Sequence, residues 1–231
     1  MINVLYPVLD LVKAYVQLIK DLKTIDWDKT TYYKNESVSI IALDLFKDMI
    51  HILAENSQLN SAIDMPKEKL SNLESFKLLL PELDLMLQNI ENFKQSNIPQ
   101  LYNELWLKQQ HIRYAVFNQD LMQKQFYFPF LNYNMLALAK HYEFVEAELN
   151  TVIKVEVVGN AGGVWTIKKT VTGWDFTDME EKTPNALIYI DQQIAWLLLT
   201  RGVNLIEANQ YYQILGDRDL GSHVLKMNFG G

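Results

Sequence analysis

The sequence predicts an α plus α+β protein: a helix bundle followed by a small α+β sandwich. Three observations carry this. Residues 1–150 contain no glycine. Their apolar residues recur at steps of three and four, the period of a helix with one buried side. The stretch VEVVGNAGGVWTIKK then places glycines 159, 162 and 163 between two β-rich runs, which is a hairpin signal. The change of pattern near Asn150 divides the chain into two domains, 1–150 and 151–231, with function expected in a groove between them.

The elements follow in order. Leu5, Leu9, Val12, Val16 and Ile19 form one face of a helix that runs to about Lys23. Residues 24–38 are polar and broken, a loop around Asp26-Trp27-Asp28. A second helix covers Ser39 to about Asn56, with Ile41, Leu45 and Ile52 near one side and Asp44, Asp48, His51 and Glu55 on another. Asp64-Met65-Pro66 is a helix start. The helix it opens, from about Lys67 to Phe93, is broken or kinked by Pro81. Pro99 starts another, reaching about Asp120. The aromatic segment QKQFYFPFLNYNM, with Pro129 inside it, reads as a buried loop or a pocket wall. A last bundle helix spans about Leu131 to Asn150.

In the second domain, Ile153–Val158 and Val164–Thr170 are hairpin strands. Trp174–Thr177 and Ala186–Ile190 are two more. Asp191 caps a helix over Ile194–Thr200. Tyr211–Leu215 is a further strand, and Asp217 or Asp219 caps a short final helix. The acidic stretch with Asp175, Asp178, Glu180 and Glu181 reads as a solvated loop.

Composition excludes several function classes. A net charge of −7 and the lack of a basic stripe argue against a nucleic-acid footprint. With no cysteine, disulfides, Cys₂His₂ zinc sites and protein thiol nucleophiles are all ruled out. The N-terminal run is interrupted by Asp10, Lys13 and Gln17, so it is neither a signal peptide nor a membrane span. A cytoplasmic protein acting on a small-molecule substrate is the expectation. The oligomeric state stays open at this level.

The C-terminal words VVGNAGGVWTIKK, GWDF, ALIYIDQQIAWLLLTRG and YYQILGDRDLGSHVL resemble the C-terminal domain of the mycothiol-dependent maleylpyruvate isomerase family. That domain is related to the sterol-carrier-protein fold, and in the family it follows a DinB/YfiT-like helix bundle. The resemblance in motifs covers residues 155–225, and in architecture the whole chain. It implies a metal-dependent isomerase or transferase that activates a low-molecular-weight thiol. It also implies a divalent metal, zinc or nickel, held by a His near the end of the second helix and a Glu-x-x-x-His pair on the last. Here His51 matches the first position and Glu143 the second. Ala147 stands where the second His belongs. His141 is a nearby substitute, two residues before Glu143 and so on a different helix face. The family's substrate-carboxylate arginine corresponds to Arg201, in the reversed order Arg201-Gly202.

Each candidate has a plainer reading. His51 shares its side with acids, as a solvated helix face does. Glu143 is one of several carboxylates. Arg201 suits the negative end of a helix. His111, in LKQQHIRY, and His223 are read as surface residues. The glycines at 159, 162 and 163 serve a turn rather than a phosphate cradle. The aromatic run is pocket wall or ordinary core. A relative that has lost the metal and binds a small apolar or acidic ligand is the alternative function, and Ala147 is its sequence argument.

Overall fold

Apolar periodicity in the first half becomes helix packing. The computed structural model describes residues 6–56, 72–90, 97–178 and 183–229. Within the first compact unit, Leu5–Leu121, α1 (Val8–Asp21) buries Leu11, Val12, Tyr15, Val16 and Ile19. Helix α2 (Val38–Asn56) buries Ile41, Leu45, Phe46, Met49 and Leu53. The long helix expected around Pro81 is two pieces, α3 (Leu73–Lys77) and α4 (Leu80–Gln88). Pro81 stands in the first turn of α4, where its missing N–H removes no helical bond. Helix α5 (Ile98–Ala115) starts one residue before the expected Pro99, which stands in its first turn, with Asn97 as its cap, and ends five residues before Asp120. The helix start at Asp64-Met65-Pro66 and the acidic residues Glu180 and Glu181 lie outside the described residues.

The second compact unit begins at Met122, although its first strand, β1 (Val152–Val158), starts where the sequence pattern changes. The extra residues are α6 (Lys124–Met135) and α7 (Leu138–His141). They belong with β2 (Gly163–Lys169) and β3 (Trp174–Phe176), against which they pack. Two expectations are corrected here. The aromatic segment is a helix, because Tyr127, Phe130, Leu131, Asn134 and Met135 are buried at helical spacing. That packing outweighs the roughly 3 kcal/mol penalty of an internal proline. The last helix stops at His141 rather than Asn150. Glu143, Glu146 and Glu148 would place like charges at the negative end of a helix. The Val145 carbonyl instead accepts a hydrogen bond from Trp174 Nε1 at 3.1 Å.

The sheet is five-stranded, in the order β3-β2-β1-β4-β5, with β4 (Ala186–Asp191) and β5 (Tyr212–Gly216). Only the β1–β4 pair is parallel. Alternation sorts its residues as the pleat requires. Ile153, Val155, Val157, Trp165, Ile167, Ile188 and Ile190 are buried, whereas Lys154, Glu156, Thr166, Lys168, Leu187 and Tyr189 are half-exposed. Trp165 stacks on Phe128 of α6, and its indole N–H donates to Asn132 Oδ1 at 3.2 Å. Helix α8 (Gln192–Leu199) is capped by Asp191, whose side chain accepts from the Gln193 N–H. Asp217 caps α9 (Arg218–Ser222) in the same way, accepting from the Leu220 N–H. Mixed α/β architecture, helices first and a mixed sheet last, is thus what the residues build. Among the described residues no helix is long and apolar enough to cross a membrane.

Candidate functional site

His51 belongs to the first unit, and Glu143, His141 and Arg201 to the second. His51 stands in the last turns of α2, its side chain 77% exposed and its Nε2 3.4 Å from Glu55 Oε1. This is a solvated i,i+4 pair of the ordinary helix-surface kind. Glu143 is exposed in the turn after α7, its N–H bonded to the Lys140 carbonyl. Since residues 143–148 are not helical, the i,i+4 relation that pairs Glu143 with position 147 does not apply. Ala147 therefore faces no helical partner.

His141 Nε2 lies 2.7 Å from the His223 carbonyl oxygen. A carbonyl only accepts, so this nitrogen carries a proton and is not a metal ligand. The contact has a structural use. Tyr142 stacks edge-on against Trp174, and its hydroxyl donates to the Leu220 carbonyl at 2.7 Å. Together His141 and Tyr142 fasten the end of α7 to α9 and the turn that follows it. His223 is half-buried rather than at the surface. Burial, aided by the charges of Lys226 and His141, lowers its pKa.

A catalytic zinc centre needs three converging, deprotonated ligands and one open position. His51, with its side chain mostly in solvent, and Glu143, in an exposed turn, are solvated surface groups, and the His141 bond to the His223 carbonyl leaves Nδ1 as that ring's one lone-pair nitrogen. Among the described residues no group of three or more His, Asp or Glu side chains is arranged to hold a metal ion.

Arg201 terminates α8. Its backbone is left-handed, at φ 59°. The Gly202 N–H reaches the Leu197 carbonyl at 2.8 Å and the Arg201 N–H reaches Leu198 at 3.2 Å. This is the two-bond helix stop in which glycine normally takes the left-handed position. The reversed Arg-Gly order thus puts arginine where the backbone favours glycine. Its exposed guanidinium donates to the Lys226 carbonyl at 3.3 Å. Arg201 is a helix terminator that ties down the chain end, with one donor face left toward solvent.

The β1–β2 turn uses its glycines for geometry. Gly159 has φ 143°, and a Cβ on Gly162 would lie 1.8 Å from the Val157 carbonyl oxygen. The Ala161 N–H is bonded to Gln192 Oε1 at 2.9 Å, so the turn donates to its own protein. Tyr127 and Phe130 from the aromatic run are core. The Tyr127 hydroxyl accepts from the Trp196 N–H and donates to the Gln192 carbonyl, which locks α6 to the first turn of α8.

The polar chemistry that sequence reasoning missed lies on α5. Asn103, Gln109, Gln110, His111 and Arg113 are all buried. His111, expected at the surface, is enclosed beside the Tyr33 ring, and burial pushes its pKa down to about 4. Gln109 Nε2 donates to the Leu11 carbonyl at 3.0 Å, and Arg113 Nη2 to the Ala14 carbonyl at 2.8 Å. Arg113 Nη1 also meets Asp120 Oδ2 at 3.2 Å. Burial lowers the arginine's pKa against the opposing pull of Asp120. One residue before Gln109, about 100° round the helix, Lys108 Nζ sits between Asp44 Oδ2 at 2.6 Å and Asp48 Oδ2 at 2.7 Å. Burial works against its charge, but the two carboxylates more than offset it and raise its pKa. The i,i+4 spacing of Gln109 and Arg113 is the one signal available in sequence. It does not distinguish a buried polar face from a wet one.

No protein-family model matches this chain, and no curated protein matches it.

Proposed function

We propose that this chain is a non-catalytic binding protein: a bundle-plus-sandwich relative of the maleylpyruvate isomerase type that takes a small apolar or acidic ligand without a metal ion. The DinB/YfiT-like identity of the bundle and the sterol-carrier-like identity of the sandwich rest on the C-terminal words between residues 155 and 225. The observation that carries the metal-free reading is that residues 143–148 are not helical, so the Glu-x-x-x-His face of the resemblance has no helix to stand on, while His51 pairs with Glu55 in solvent. A small thiol has no assigned role here, since activating it as a thiolate calls for a cation to stabilise the anion.

The test is elemental analysis of tag-free protein, wild type beside His51→Ala. The expected result is substoichiometric zinc and nickel in both, with no thiol-dependent isomerisation of maleylpyruvate. Stoichiometric metal in the wild type that disappears in His51→Ala would overturn this reading in favour of the metal- and thiol-dependent isomerase.

A further inference from the structure

The sheet has two unlike faces. Helices α6 and α9 pack on one of them: Phe128 stacks on Trp165, and a Cβ on Gly221 would lie 2.5 Å from Ile214 Cγ2 and 3.4 Å from Ile188 Cγ1. The other face is open, and the register fixes what stands where on it. The middle strand of the five is β1, and Val155 is the fourth of its seven residues. Val155 is buried on the helices' side. The centre of the open face therefore lies between Lys154 and Glu156, both half-exposed. Beside them on β4 stand Leu187, level with Lys154, and Tyr189, level with Glu156. Further out, Leu215 is 43% and Val164 52% exposed. None of the ion pairs among the described residues includes Lys154 or Glu156.

We infer that this open face docks a second copy of the chain, sheet on sheet, about a two-fold axis through its centre. Opposite charges on the two sides of a centre form the pattern that a two-fold axis turns onto its own complement. With the axis between the sheets and across the strands, β1 runs antiparallel to the same strand of the second copy. Lys154 then lies over the partner's Glu156, and Glu156 over the partner's Lys154. Leu187 lies over the partner's Tyr189 in the same reciprocal way, so charge meets opposite charge and apolar meets apolar. A partner of one charge sign would leave either Lys154 or Glu156 against its own sign, whereas a second copy matches both. Facing sheets stack about 10 Å apart, a gap that a lysine and a glutamate together span. The tilt of aligned sheets, about 30°, turns the strands about this centre and leaves the central contacts in place. A face of roughly 20 by 20 Å buries on the order of 1,000 Å² in all when two meet, the low end of specific interfaces. The dimer therefore belongs to the micromolar range, with its register fixed by the ion pairs. It needs no ligand, so it stands or falls separately from the metal-free reading.

The experiment is sedimentation equilibrium of the full chain from micromolar to submillimolar concentration, with far-ultraviolet circular dichroism confirming the native fold of each variant. Wild type is expected to show a monomer–dimer equilibrium. Lys154→Glu leaves only carboxylates at the centre, and Glu156→Lys only ammoniums. Each should weaken the dimer by roughly 100-fold or more, since like charges facing across an interface repel. An equal mixture of these two variants should dimerise again, because every carboxylate then meets an ammonium. Lys154→Glu/Glu156→Lys should dimerise as wild type does. A wild type that stays monomeric throughout overturns the inference, whatever the variants do. A dimer that both charge reversals leave intact overturns it as well, because the contact then lies elsewhere on the chain. So do folded reversal variants whose mixture stays monomeric.

Discussion

The two units bury different things. On the sheet, Lys154, Glu156 and Lys168 keep to the half-exposed face, and the other face is filled with Ile153, Val155, Trp165, Ile167, Ile188 and Ile190. The helical unit encloses an arginine, a histidine and two glutamines on a single helix, α5. An apolar core tolerates local change through repacking. A buried polar network is only as good as its weakest partner, because each orphaned group bears its full desolvation penalty. Stability in the first unit should therefore depend on a few named hydrogen bonds, and in the second on shape.

Arg113 gives the largest expected effect. Arg113→Ala removes bonds to Ala14, Asn118 and Asp120 and leaves a void. The expected loss is about 3–4 kcal/mol of unfolding free energy in urea. A loss under about 1 kcal/mol would show the guanidinium to be a surface group in effect, and the contrast between the units would fail.

His111 sharpens the contrast through pH. Its folded pKa is held down at about 4 by burial, against about 6.5 in an unfolded chain. Below about 6.5 the unfolded state takes up a proton that the folded state refuses. Its contribution is therefore fully present above that pH and is lost as pH falls toward 4, by about 3 kcal/mol in all. Urea unfolding across this range should show a steeper acid loss in wild type than in His111→Gln. Parallel curves would mean that the ring is not held neutral.

The smallest effect belongs to the sheet unit and has the opposite sign. Arg201→Gly relieves a left-handed backbone at the end of α8 and should stabilise by about 1 kcal/mol, read as a raised melting temperature. A lowered one would mean that the bond to the Lys226 carbonyl outweighs the strain.

The second unit was legible because its signals are local. Alternation places β1, β2, β3, β4 and β5 within a residue or two, Asp191 reads as a cap, and of the two candidates Asp217 and Asp219 it is Asp217 that caps α9. In the first unit, periodicity located α1 and α2, Pro99 located α5, and Pro81 marked the break between α3 and α4. Two failures share a cause. Pro129 outweighed the helical spacing of Tyr127, Phe130 and Leu131, although packing decides such contests. The run from Leu131 to Asn150 looked continuous, although Glu143 and Glu146 disfavour a helix end and Trp174, distant in sequence, captures the Val145 carbonyl.

The candidate site was the least legible part. The family resemblance nominated His51, Glu143 and Arg201, with His141 as a nearby substitute. What His141 and Arg201 do depends on partners elsewhere in the chain: His223 for the one, Lys226 for the other. Lys108 and Arg113 were passed over for the same reason, since Asp44 lies 64 residues from Lys108 and the Ala14 carbonyl 99 from Arg113. By itself the sequence determined the broad order, helices first and strands after them, the caps of the late helices and the lack of a protein thiol, because those follow from backbone preference and composition. Only the tertiary structure decided which polar groups are buried and which cation sits between Asp44 and Asp48. Desolvation and pairing are properties of neighbours in space, and one-dimensional order does not contain them.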